Sequence, residues 1–206
     1  MAEMIDGYDR ITTVLNYFST PEYVKWVGKV GNKESKRSGT VAMKIGTEAD
    51  EWIKSDIQGL KLPKLKSEEA KNCVKGYQQW VKEYTPQLTV GQRVFDDTLM
   101  VTGEPDILTD TTVIDIKCSL VIRPVYWLQT EFYARKTGKF NKAILRLDKH
   151  LGVYEYDVRV IDDRDMMAVA GLVEAYRFFN REKSVTDGEE QLDVTDTNST
   201  NSTDES

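Results

Sequence analysis

The sequence predicts an α/β fold in which a mixed β-sheet is flanked by helices and preceded by a helical N-terminal region. Three observations carry this. The first third spaces its apolar residues as helices do, residues 88–116 break into short β-type runs split by Gly and Asp clusters, and the remainder alternates helix, two strands, helix.

Each element has its own signal. Residues 12–18 form a short apolar turn or helix, and Pro21 suits the first turn of a helix reaching about residue 30. A longer helix is expected from residue 34 or later to about residue 57, with Gly39 and Gly46 weakening its interior. Ser67 is placed as the N-cap of a helix to about residue 83, with Glu68 and Glu69 favourable in its first turn. Residues 88–90, 93–95, 99–101, 106–108 and 113–116 read as strands. Pro124 opens a helix to about residue 136, which Gly138 closes. Residues 143–147 and 153–160 form a hairpin, and a last helix spans residues 163–181. One domain is expected over residues 1–183. The Ser-, Thr- and Asp-rich stretch 184–206 is expected to be a disordered acidic tail.

Composition excludes several function classes. Apolar residues make up 40% and charged residues 30%, an ordinary globular balance. No apolar run approaches the ~20 residues of a membrane span, and three acids precede the first base, Arg10, unlike a secretory or transit signal. The cytoplasm, or a host cytoplasm for a viral chain, is the expected compartment. Cys73 and Cys118 are the only cysteines and His150 the only histidine. They rule out a four-thiolate zinc site, an iron–sulfur cluster and a two-histidine metal site. A metal here is held by oxygen, which favours Mg²⁺ or Mn²⁺. The net charge of -6 looks wrong for a nucleic-acid partner, but residues 184–206 hold seven acids and no base. The body is left with 28 bases against 27 acids, which accommodates a local basic groove.

The chemistry concentrates in Gly103, Asp106, Asp115 and Lys117. On a strand, Asp115 and Lys117 point to one face while Ile114 and Ile116 point to the other. An acid and a lysine on an otherwise apolar strand are costly without partners. A hairpin turning near residues 110–112 brings Asp106 and Asp115 together, and two convergent carboxylates call for a cation between them. The backbone carbonyl of Ile116 is a further candidate ligand. Such a cation polarises a phosphate and acidifies water, and Lys117 can orient that water and stabilise developing charge. Acid-x-Lys triplets also occur at Glu34 and Glu69, so the triplet alone carries little, and an edge-strand salt bridge is the competing reading for Asp115 and Lys117. Gln129 and Tyr133, four apart on a helix, share a face from which they reach phosphate or the metal-bound water; the competing reading is a partly buried Tyr beside an amide.

These residues resemble the PD-(D/E)XK nuclease superfamily, in its RecB-like branch with a Gln-x-x-x-Tyr helix. Residues 10–15, Trp26 with Lys29 and Gly31, residues 45–47 and residues 144–155 are similar to segments of phage and mitochondrial genome maintenance exonucleases. The resemblance spans roughly residues 10–180. It implies a restriction-endonuclease-like core and a Mg²⁺- or Mn²⁺-dependent DNA exonuclease acting on single strands or free ends in replication, repair or recombination, alongside proteins of those processes. Where the family often has a metal-binding His, this chain has Asp50, with Glu48 and Glu51 as competitors. DNA contacts are implied for Thr12, Thr13 and the bases Lys29, Lys33, Lys36 and Arg37. Trp26, Trp52, Trp80 and Trp127 are stacking candidates, with core packing the rival reading. Cys118 is expected as a small residue beside the site and His150 as a turn residue. Asp50 in place of His motivates an alternative, a nuclease-like module that binds DNA or protein without cutting.

Overall fold

The computed structural model describes residues 4–18 and 21–189, without the side chains of residues 21–23, 26 and 181–189. Two strands absent from the sequence reading open it, β1 (Met4–Ile5) and β2 (Tyr8–Arg10). Helices α1 (Ile11–Tyr17), α2 (Pro21–Val30), α3 (Asn32–Ile57) and α4 (Glu68–Tyr84) follow. α3 runs unbroken through Gly39 and Gly46, because Ile45, Ala49, Trp52 and Ile53 are buried along one of its faces. That burial outweighs the roughly 1 kcal/mol per glycine lost to backbone entropy. The expected cap of α4 is present, with Ser67 Oγ accepting from Ala70 N at 3.1 Å.

The strands are β3 (Thr89–Val90), β4 (Val94–Asp96), β5 (Val101–Gly103), β6 (Ile107–Leu108) and β7 (Thr112–Lys117). After α5 (Pro124–Thr137) come β8 (Asn141–Leu147), β9 (Tyr154–Val160) and α6 (Asp163–Glu189). The expected single sheet is two mixed sheets, ordered β1-β2-β5-β4 and β3-β6-β7-β8-β9. A turn between the paired strands β4 and β5 explains the shifted start of β5. Asp96 Oδ1 accepts from Thr98 N at 3.0 Å and Leu99 N at 2.8 Å, and Met100 takes a left-handed φ of 48°. Residues 99 and 100 are thus used in turning the chain. At Gly91 the chain leaves the larger sheet for the smaller one, so close to the returning segment that a Cβ would sit 2.2 Å from the Pro105 carbonyl oxygen, while Gly91 N donates to Asp106 O.

β7 is the central strand of the larger sheet, antiparallel to β6 and parallel to β8. Its alternation divides two cores. Ile114 and Ile116 pack with α3 and α4 residues, and Val113 packs with residues of α1, α5 and α6. α5, which carries Gln129 and Tyr133, is fastened to β8 and α6 by a buried ion network. Lys142 Nζ lies 2.6 Å from Glu131 Oε2 and 2.5 Å from Asp165 Oδ2, and Arg135 lies 2.8 Å from Glu131 Oε1. Among the described residues no helix is long and apolar enough to cross a membrane. The expected boundary before Ser184 falls inside α6, and the rest of the expected tail, residues 190–206, lies outside the described residues.

Removing one partner from a buried ion pair leaves an uncompensated charge. Lys142→Ala is therefore expected to destabilise the fold by about 3–5 kcal/mol, measured by urea unfolding. A loss under about 1 kcal/mol would mean that the network is not a fastening.

Candidate active site

Asp115 sits in mid-β7 with no exposed surface. Asp106 immediately precedes β6, and the β6–β7 pairing of Ile107 with Ile114 brings it alongside. Asp106 Oδ2 accepts from Ile116 N at 2.7 Å, which fixes its carboxylate against β7. Asp115 Oδ1 accepts from Gln129 Nε2 at 3.0 Å, and its Oδ2 lies 2.5 Å from Lys117 Nζ in an ion pair outside hydrogen-bond geometry. The Lys117 ammonium also lies 5.1 Å from the centre of the Tyr126 ring.

The glycine of the Gly103-x-x-Asp106 motif has a steric reason. A Cβ there would fall 2.5 Å from Tyr133 Cε1 and 2.8 Å from Ile11 Cγ2. Tyr133 is 2% exposed, and its hydroxyl accepts from Gln129 Nε2 at 3.2 Å. Gln129, itself bonded to Tyr133, thus orients Asp115.

Of the three acids weighed on α3, Asp50 faces the cavity. Glu48 is turned away and accepts from Ser67 Oγ and the backbone N–H groups of Lys66 and Ser67, and Glu51 is exposed. Asp50 Oδ2 lies 2.9 Å from Lys54 Nζ. The cavity, about 1190 Å³, lies between α3 and the loop from β7 to α5, and Asp50, Asp106, Ile116 and Lys117 all line it. Arg37 and Thr12 do not. Arg37 is exposed and paired with Glu34 at 3.0 Å on its own helix, and Thr12 is half-buried on α1. Ser35, Ser38 and Gly39 form that stretch of wall instead. Trp52, Trp80 and Trp127 are core residues, whereas the Trp26 side chain lies outside the description. Cys118 lines the cavity and His150 is exposed in the β8–β9 turn.

The electrostatics follow from crowding. Burial and then the Asp115 charge push the Asp106 carboxyl up to about 6, against Lys117 and the Ile116 N–H. Burial raises Asp115 too, with Lys117 opposing and Asp50 adding. Asp50 rises through burial and then Asp106, opposed by Lys54. Burial disfavours the Lys117 ammonium, but Asp115 and Asp106 prevail and hold it above the ordinary lysine value. Among the described residues, no three carboxyl, thiol or imidazole groups are already gathered as a metal cage. Even so, Asp50 Oδ1 and Asp115 Oδ2 are buried and accept no hydrogen bond. The open Asp50 Oδ1, with the Asp106 and Asp115 carboxylates crowded beside it, fits a hard divalent cation, which takes oxygen ligands.

Sequence reading missed Lys54 and Arg146. Lys54 had a signal, standing one helical turn after Asp50. Arg146 pairs in register with Lys117, and its guanidinium bonds Glu155, Asp148 and the Ser119 carbonyl of the β7–α5 loop.

Comparison with solved structures places the fold. An alkaline exonuclease from Laribacter hongkongensis superposes with a TM-score of 0.54 at 14% identity, covering 92% of this chain and 95% of that one. The same exonuclease in complex with dAMP superposes with a TM-score of 0.50 at 16% identity, covering 73% and 86%. A phage related exonuclease from Haemophilus somnus 129PT gives 0.48 at 14% identity, covering 87% and 96%. No protein-family model matches the sequence, and no curated protein matches it. The mixed α/β fold is thus one shared with an alkaline exonuclease.

A carboxyl raised in the folded state binds its proton more tightly there than in the unfolded chain, so stability falls as pH rises between the two values. The protein in EDTA is expected to lose about 2 kcal/mol of stability between about pH 4 and about pH 6.5 through Asp106. Asp106→Asn flattens that slope in urea unfolding against pH. Parallel profiles for the two proteins would refute the shift.

Proposed function

We propose that this protein is a Mg²⁺- or Mn²⁺-dependent DNA exonuclease that hydrolyses phosphodiester bonds at free ends and prefers single strands. One observation carries the reading: Asp106 and Lys117 line one cavity, with the buried Asp115 paired to Lys117 behind its wall, on a fold shared with an alkaline exonuclease. The dAMP complex of that exonuclease supports a nucleotide ligand here. An end-trimming activity belongs to replication, repair or recombination, with proteins of those processes as partners.

Asp106, Asp115 and Asp50, with the Ile116 carbonyl, would hold the cation, whose Lewis acidity draws charge from the scissile phosphate and acidifies a water. The chain does the rest. Lys117 keeps its proton because of its carboxylate neighbours, so it acts as a fixed positive charge on a phosphate oxygen rather than as a base. Gln129 holds Asp115 in one orientation, and the Ile116 N–H does the same for Asp106. Arg123 and Lys149 on the cavity wall meet the backbone of the strand, while Tyr126, Leu120 and Val121 offer contact to unpaired bases.

A nuclease-like module that binds DNA or protein without cutting is the second reading. It is favoured by the ion pairs Asp50–Lys54 and Asp115–Lys117, which give both carboxylates a partner without a metal.

End-labelled single-stranded DNA separates the two. With Mn²⁺ or Mg²⁺ the wild type is expected to release nucleotides, and Asp115→Ala and Lys117→Ala to lose at least about 100-fold in rate. Equal rates in all three proteins would reject the assignment, and no cleavage by the wild type would favour the binding module.

A further inference from the structure

The site holds a second lysine that the mechanism does not use. Lys54 stands one turn after Asp50 on α3, with its Nζ 2.9 Å from Asp50 Oδ2, and only 23% of its side chain is exposed. Burial disfavours its charge, yet Asp50, then Asp106 and Glu104, hold the ammonium above its ordinary value. With Glu104 balanced by Arg93 at 3.1 Å, three carboxylates therefore face two ammonium groups, one carried by β7 and one by α3. This leaves a deficit of one positive charge.

We propose that Lys54 is a positioning residue that sets the affinity of this site for its divalent cation, by competing with the ion for Asp50. The inference rests on the metal reading above and adds a regulator to it. Lys54 covers one oxygen of Asp50 and leaves the other, Oδ1, buried and unpartnered. It thereby accounts for two facts at once. The three carboxylates are not gathered as a ready cage, and an oxygen nevertheless stays open for a ligand.

An ammonium a few ångströms from a divalent ion repels it strongly where water is scarce. The consequence is a cation held loosely while the substrate is absent. The charge count gives the reason this suits a phosphate diester. Three carboxylates, two ammonium groups and one divalent ion sum to a single positive charge, which one phosphodiester neutralises. Without Lys54 the loaded site would be neutral and would have less pull on the substrate.

Isothermal titration of the DNA-free protein with Mn²⁺ at about pH 7.5 tests this. Lys54→Met is expected to bind Mn²⁺ about tenfold more tightly than wild type and to show a larger Mn²⁺-induced rise in Tm. Lys54→Arg, which keeps the charge, stays near wild type. Lys54→Gln serves as the second neutral variant, and circular dichroism checks that each variant is folded. Unchanged or weaker Mn²⁺ binding in folded Lys54→Met and Lys54→Gln overturns the role given to Lys54 and leaves the metal site standing. Absence of Mn²⁺ binding in wild type and variants alike overturns the metal site itself, and the inference with it.

Discussion

Two carboxylates are forced together by the pairing of β6 with β7, and the rest of the site is arranged to make that tolerable. Burial and the Asp115 charge raise the proton affinity of Asp106, burial and Asp50 raise that of Asp115, and neither carboxylate can move away. Asp106 is tied to the Ile116 N–H and Asp115 is tied to Gln129 on α5. Such an arrangement stores unfavourable energy that a cation would relieve, as in other sites built from like charges. The buried network of Lys142, Glu131 and Asp165 matters for the same reason, since it holds α5 firmly enough for a single amide to orient Asp115.

Much of this was legible in the sequence. Strand alternation alone put Asp115 and Lys117 on one face, and the spacing to Asp106 required a hairpin that is present. Pro124 and Gly138 bounded α5, with Gly138 in the left-handed conformation that ends a helix. The β8–β9 turn is organised by Asp148, which accepts from His150 N and Leu151 N.

What was not legible depends on contacts remote in sequence. Nothing local marks residues 4–10 as strands, because β2 exists by pairing with β5. The shifted start of β5 turns on Asp96 capping its own loop, a side-chain-to-backbone bond that apolar periodicity does not report. The division into two sheets turns on the close passage of Gly91 against Pro105. For Tyr133 the helix spacing left two readings open, a face reaching the substrate and a partly buried ring beside an amide. Its burial follows from a glycine thirty positions earlier that leaves room for the ring. Arg37 stands away from the cavity, paired with Glu34; a base in a basic stretch says nothing about which side of α3 it occupies.

The smaller sheet also bears on the order in which the molecule can be assembled. Asp9 pairs with Val101, and Arg177 of α6 reaches back to Asp9 and to the carbonyls of Leu99 and Met100. The strand leading into Asp106 is thus clasped by chain from both extremities. Contacts of such long sequence separation close late, after the entropy of the intervening loops has been overcome. A ribosome-bound chain must release α6 before that clasp can shut, so the platform under Asp106 is completed only after α6 has emerged.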